Sequence, residues 1–132
     1  MKEELSDQKF NFDPIFDSAF LYEMYENDYQ YVEEIFSTTS EGFQPDFEAI
    51  TAAFTQQDLE ALKKAVHKMK PAMGFVGLLS LQQQCQNFEQ ECAAKQEFKE
   101  IIINYHTLLE GLTTAKEKIA AEITRLHSFN NL

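Results

Sequence analysis

Apolar residues recur along this chain at gaps of three and four, the spacing that lines up side chains on one face of an α-helix. Val32, Phe36, Thr39, Phe43, Phe47, Ile50 and Phe54 hold that phase without a break, although Gly42 and Pro45 fall inside the run. A proline in a helix interior removes a hydrogen bond and crowds the carbonyl four residues back. The surviving phase therefore predicts one long helix bent near residues 41–45, in preference to two shorter ones. Asn27 to Gln30 reads as its capping box. A second stripe, Leu59, Leu62, Val66, Met69, Met73 and Val76, follows a capping box at Thr55-x-x-Asp58. A third, Leu81, Cys85, Phe88 and Cys92, follows Ser80-x-x-Gln83. The last stripe is Ile101, Tyr105, Leu108, Leu112, Ala115, Ile119, Ile123 and Leu126, which predicts a long helix from about Gln96 to His127. Gly111 weakens that helix without ending it. Ahead of all four, Asp13-Pro14 is a start signal for a short helix to about Glu26, carrying Phe16, Phe20, Leu21 and Met24. Residues 1–12 are mainly polar, with two Phe, and are expected to be loose. The predicted fold is all-α: an antiparallel four-helix bundle with a short additional N-terminal helix, forming one domain over residues 13–132.

Composition supports helices over sheets. Four Gly and three Pro in 132 residues leave few turns for an all-β fold, while 44% apolar residues supply a core. Twelve Phe and five Tyr with no Trp make that core aromatic. The formal charge of −11 argues against general nucleic-acid binding and against an anionic membrane surface. No apolar run reaches a transmembrane length and the N-terminus has no signal-peptide core, so a soluble, cytoplasmic chain is expected. An initiating Met and the lack of a linker favour a free-standing protein, read as a monomer. Cys85 and Cys92, seven residues apart on one helix, are separated by roughly 10 Å at ~1.5 Å per residue. That is too far for a disulfide. Nor does a second Cys or His pair stand at zinc-ligand spacing, so both are read as reduced core residues.

Candidate chemistry gathers on the third helix, in "AVHKMKPAMGFVGL". His67 lies roughly 140° from the centre of the apolar stripe at ~100° per residue, and is therefore expected to face solvent. Lys63, Lys64, Lys68 and Lys70 surround it with no acid between Lys63 and Lys70, in a strongly acidic chain. Pro71 offers no N–H to the carbonyl of His67, and Gly74 removes a side chain two turns along. Singly these are ordinary surface features; together they describe an imidazole that another protein can approach closely.

The same stretch resembles the signature of histidine-containing phosphotransfer (HPt) domains of two-component phosphorelays, H-x-[LMI]-K-G-x-x-x-x-[VLI]-G. His67, Met69, Lys70, Val76 and Gly77 match in register, Gly74 matches many members, and Pro71 departs where Gly is commoner. The resemblance spans roughly Phe16 to His127. It implies that Nε2 of His67 accepts and donates a phosphoryl group between aspartates of receiver domains, in response regulators or hybrid histidine kinases. Lys70, and less strongly Lys63, Lys64 and Lys68, would stabilise the phosphoryl oxygens and attract the acidic receiver pocket. A Glu or Gln on the next helix orients the histidine in related domains, and the corresponding position here is Glu89. The chain itself then needs no cofactor or metal, magnesium belonging to the receiver.

Other readings are weaker. Di-iron bundles need Glu-x-x-His pairs, which do not occur, and without a P-loop the chain has no ATP site of its own, so a kinase activity is not expected. His106 and His127 lack a nucleophile pattern around them. The surviving alternative is a non-catalytic helical adaptor that binds a receiver-like or acidic partner through the basic face around His67.

Overall fold

Each long stripe becomes one helix in the computed structural model, which describes residues 8–95 and 97–132. The helices are α1 (Ser18–Tyr25), α2 (Tyr29–Thr55), α3 (Leu59–Phe75), α4 (Leu79–Ala94) and α5 (Ile102–Asn130). A 3₁₀ turn, Phe98–Ile101, leads into α5. The start of α5 was expected near Gln96, which lies outside the described residues. Helix α2 runs through both Gly42 and Pro45, and α3 runs through Pro71.

Side-chain pairs show that the four long helices are antiparallel neighbours. Lys116 of α5 donates to Gln44 of α2 at 2.5 Å, while His127, further along α5, meets Glu33, earlier in α2, at 3.0 Å. His67 and Lys70 of α3 meet Glu89 and Gln86 of α4 in the same reversed order. Short connections between α2, α3 and α4 enforce this up-and-down arrangement. Most of the core comes from the predicted stripes: Val32, Phe36 and Ile50 from α2, Leu62, Val66, Met69 and Met73 from α3, Leu81, Cys85 and Phe88 from α4, and Leu108, Leu112 and Ile119 from α5 are buried. Both cysteines are free, and burial pushes each thiol up to about 11, which keeps them protonated.

The helix starts differ from expectation in a consistent way. Three N-caps are aspartates, each accepting from a backbone N–H three residues on: Asp17 from Phe20, Asp28 from Tyr31 and Asp58 from Ala61. The expected cap at Asn27 instead has a left-handed backbone, Thr55 closes α2, and Ser80 lies inside α4, whose cap residue Leu78 makes no side-chain bond. Short polar side chains of all these types can cap, and the path of each connection selects among them. Asp13-Pro14 likewise opens a turn and not a helix: Phe16 N–H donates to the Asp13 carbonyl and Ile15 N–H to its carboxylate.

Residues 1–12 were expected to be loose. Residues 1–7 lie outside the described residues, but Phe10 and Phe12 are buried in the core. Phe10 packs edge-on against Phe12 and Phe129, and its carbonyl accepts from the Tyr22 hydroxyl. The last turns of α5 hold this strap down. Glu122, a fully buried carboxylate, accepts from Asp13 N–H at 2.6 Å and pairs with Arg125, whose guanidinium also reaches the Asn11 carbonyl. A backbone N–H and a guanidinium together satisfy the buried charge.

The α3–α4 turn rests on Gly77, which has φ +75° and whose carbonyl accepts from Asp17 N–H at 2.8 Å. A Cβ there would stand 2.9 Å from Cγ of Leu21, itself buried. Gly77→Ala is therefore expected to cost about 1–3 kcal/mol, from left-handed backbone strain and displacement of α1. Denaturant unfolding measures this, and a variant as stable as the parent would contradict it.

Candidate functional site

Because α3 and α4 run antiparallel from a tight turn, residues equally far from Leu78 on either side come level. Glu89, on the half-polar flank of α4, thus returns to the height of His67. Nδ1 of His67 lies 2.6 Å from Oε1 of Glu89. An ionised carboxylate only accepts, so this contact assigns the proton to Nδ1 and leaves Nε2 with its lone pair. The imidazole remains 66% exposed while the carboxylate is 18% exposed. The carboxylate is sheltered and the ring is open to solvent.

The second oxygen of Glu89 is also engaged. Nζ of Lys70 lies 2.9 Å from Oε2, and the same ammonium donates to Oε1 of Gln86. Burial alone raises the pKa of Glu89, but the hydrogen bonds and charges of Lys70 and His67 outweigh it and hold the carboxyl below the usual carboxylate range. Lys70 is only 19% exposed, so it is turned along α4 and not out into solvent.

The other lysines are less free than their spacing implied. Lys63 and Lys64 approach Glu60 at 3.4 and 3.9 Å, and Lys68 approaches Asp46 of α2 at 3.6 Å. The run without acids is balanced by one acid a turn earlier and another from a neighbouring helix. Gly74 also has a use within the chain. The amide of Gln82 lies over it, with Nε2 3.4 Å from the Lys70 carbonyl and 2.5 Å from where a Cβ would stand. Part of the clearance at Gly74 thus serves the approach of α4.

The sequence does not single out Gln82, and offers Gln86, like Gln90, only as a substitute for Glu89 in orienting the ring. A gap of four from Gln82 to Gln86 and of three from Gln86 to Glu89 places all three on one flank of α4, a signal that gains meaning only once α3 is known to pack there. Of the remaining histidines, His106 packs edge-on against the rings of Phe54 and Tyr105. His127 is 69% exposed and its Nδ1 lies 3.0 Å from Glu33, so it repeats the imidazole–carboxylate contact. There, however, the carboxylate is held by Asn130 and, among the described residues, by no lysine or arginine. Neither these side chains nor others among the described residues form a cluster able to hold a metal ion, and no helix there is long and apolar enough to cross a membrane.

The fold is thus an all-α bundle that presents an exposed histidine, held through Nδ1 by a carboxylate that a lysine backs. The Hpt domain family model matches residues 34–127, and the chain belongs to this family. Membership implies phosphotransfer within a phosphorelay. The structure is similar to the HPT domain of the Hpt sensor hybrid histidine kinase from Shewanella, with a TM-score of 0.73 over 84% of this chain and 95% of that one. At 16% identity, that likeness concerns the fold. No curated protein sequence matches the chain.

Proposed function

We propose that the chain is a histidine phosphocarrier that accepts a phosphoryl group at Nε2 of His67 from a receiver-domain aspartate and passes it to another. The contact between Nδ1 of His67 and Glu89 carries this reading. The Nε2 lone pair attacks the phosphorus of the aspartyl phosphate, the P–N bond forms, and the P–O bond to the aspartate carboxylate breaks. As the lone pair is spent, positive charge develops on the ring. The Glu89 carboxylate, already on the Nδ1 proton, stabilises that charge without moving. The return step reverses each bond change on the second receiver. Magnesium belongs to the receiver's acidic pocket, and this chain supplies the nucleophile and its surroundings.

The adaptor alternative uses the same face but gives the anchored imidazole nothing to do. Incubation with a phosphorylated receiver domain separates the two. The carrier yields acid-labile, alkali-stable phosphate on His67; binding without such phosphate supports the adaptor.

The lysines are expected to contribute unequally. Lys70→Ala removes the cation that shares Glu89 with the histidine and slows transfer with little change in melting. Lys63→Ala and Lys64→Ala, which leave one lysine on Glu60, alter it by no more than about twofold, as befits exposed pairs worth ~0.5 kcal/mol. Lys68→Ala behaves likewise. Added salt weakens transfer modestly, since only exposed charge is screened. Equal losses at all four positions would show a diffuse docking charge and no special place for Lys70.

A further inference from the structure

A lysine ammonium has three protons and a long, mobile stem, and one carboxylate at a half-open surface holds it poorly. Lys70 is nevertheless drawn down to 19% exposure, because two acceptors on α4 share it: Oε2 of Glu89 and Oε1 of Gln86. The two acceptors stand three residues apart, adjacent on one face of the helix. Glu89 in turn spends one oxygen on Lys70 and the other on His67. The contacts form a single chain from Gln86 through Lys70 and Glu89 to Nδ1 of His67. In that chain only Gln86 is uncharged and lies away from the imidazole.

We propose that Gln86 is a positioning residue for His67, acting at a distance by pinning Lys70 against one oxygen of Glu89 so that the other stays on Nδ1. Without the Gln86 acceptor, the ammonium extends into solvent. The Glu89 carboxylate then loses its second tether and turns, and the Nδ1–H tautomer loses its preference. This rests on the phosphocarrier reading for its consequence in transfer, but not for its geometry. Gln86 is not a catalytic residue, since it touches neither the ring nor the phosphoryl group's path.

The test uses the full chain with Gln86→Ala and Gln86→Met, the second keeping the bulk of the side chain without its acceptor. Nitrogen-15 NMR of the His67 ring reads the tautomer, and no receiver is needed. Both variants are expected to keep the parent's circular dichroism and to lose the predominance of the Nδ1–H form. With a phosphorylated receiver, the maximal transfer rate falls roughly threefold to tenfold at unchanged receiver affinity. This is less than the loss usual for a group bonded directly to a working histidine. Gln86→Glu, which retains an acceptor oxygen for Lys70, restores both readouts. An unchanged tautomer in folded Ala and Met variants overturns the proposal even if His67 is phosphorylated. A shifted tautomer in a protein whose His67 takes no phosphate leaves the positioning role standing and removes the carrier reading.

Discussion

His67→Gln is expected to abolish phosphorylation from a phosphorylated receiver domain and to leave the fold intact. The loss is complete because an amide cannot replace the nucleophilic Nε2, and phosphoryl transfer gives the protein little else to contribute chemically. The fold survives because the side chain is 66% exposed and makes its one hydrogen bond to a carboxylate that Lys70 also holds. Label counting and circular dichroism on the variant check both halves. Label that persists, or that moves to His106 or His127, defeats the assignment. His127 makes this a stringent comparison: Glu33 holds its Nδ1 much as Glu89 holds that of His67. It has no lysine beside the carboxylate among the described residues. If orientation by a carboxylate were sufficient, His127 would label too.

Glu89→Ala is expected to produce the next largest effect, a fall in transfer rate of roughly tenfold to a hundredfold, the range for partners that orient a working histidine. Two things are lost at once. The Nδ1 proton loses its acceptor, which frees the ring to adopt the unproductive tautomer, and the positive charge that develops during attack loses its counter-charge. Glu89→Gln separates them, because its amide oxygen still accepts from Nδ1–H while the charge is gone; its rate should fall between those of the parent and the Ala variant. The linked pH effect has a definite sign. Glu89's carboxyl is held below the usual range in the folded chain. Its stabilising contribution is therefore complete above the unfolded-state value and is lost as pH falls through the lowered one. Glu89→Gln should accordingly flatten the acid limb of the unfolding curve. An Ala variant with the parent's rate and acid profile would remove Glu89 from the site.

The sequence by itself determined the helices, the buried stripes and the outward place of His67. Each of these follows from periodicity within one segment, where the geometry of the α-helix links spacing directly to direction. The motif around His67 was legible for the same reason: its residues share one helix. Glu89 was placed by resemblance and by an antiparallel turn, and the 2.6 Å contact agrees with that placement. Tertiary structure decided what depends on helices meeting. Glu122 interrupts an apolar stripe and is buried all the same, because the N-terminal strap delivers Asp13 N–H to it from 109 residues away. Aspartates took over as helix caps because the paths between packed helices, not cap propensity, choose where each helix begins. The lysines looked like a free basic edge until Asp46 arrived from α2 and Glu89 with Gln86 from α4. A pairing between side chains on different helices depends on the register in which their backbones pack, and register is a property of the assembled core that no single segment encodes.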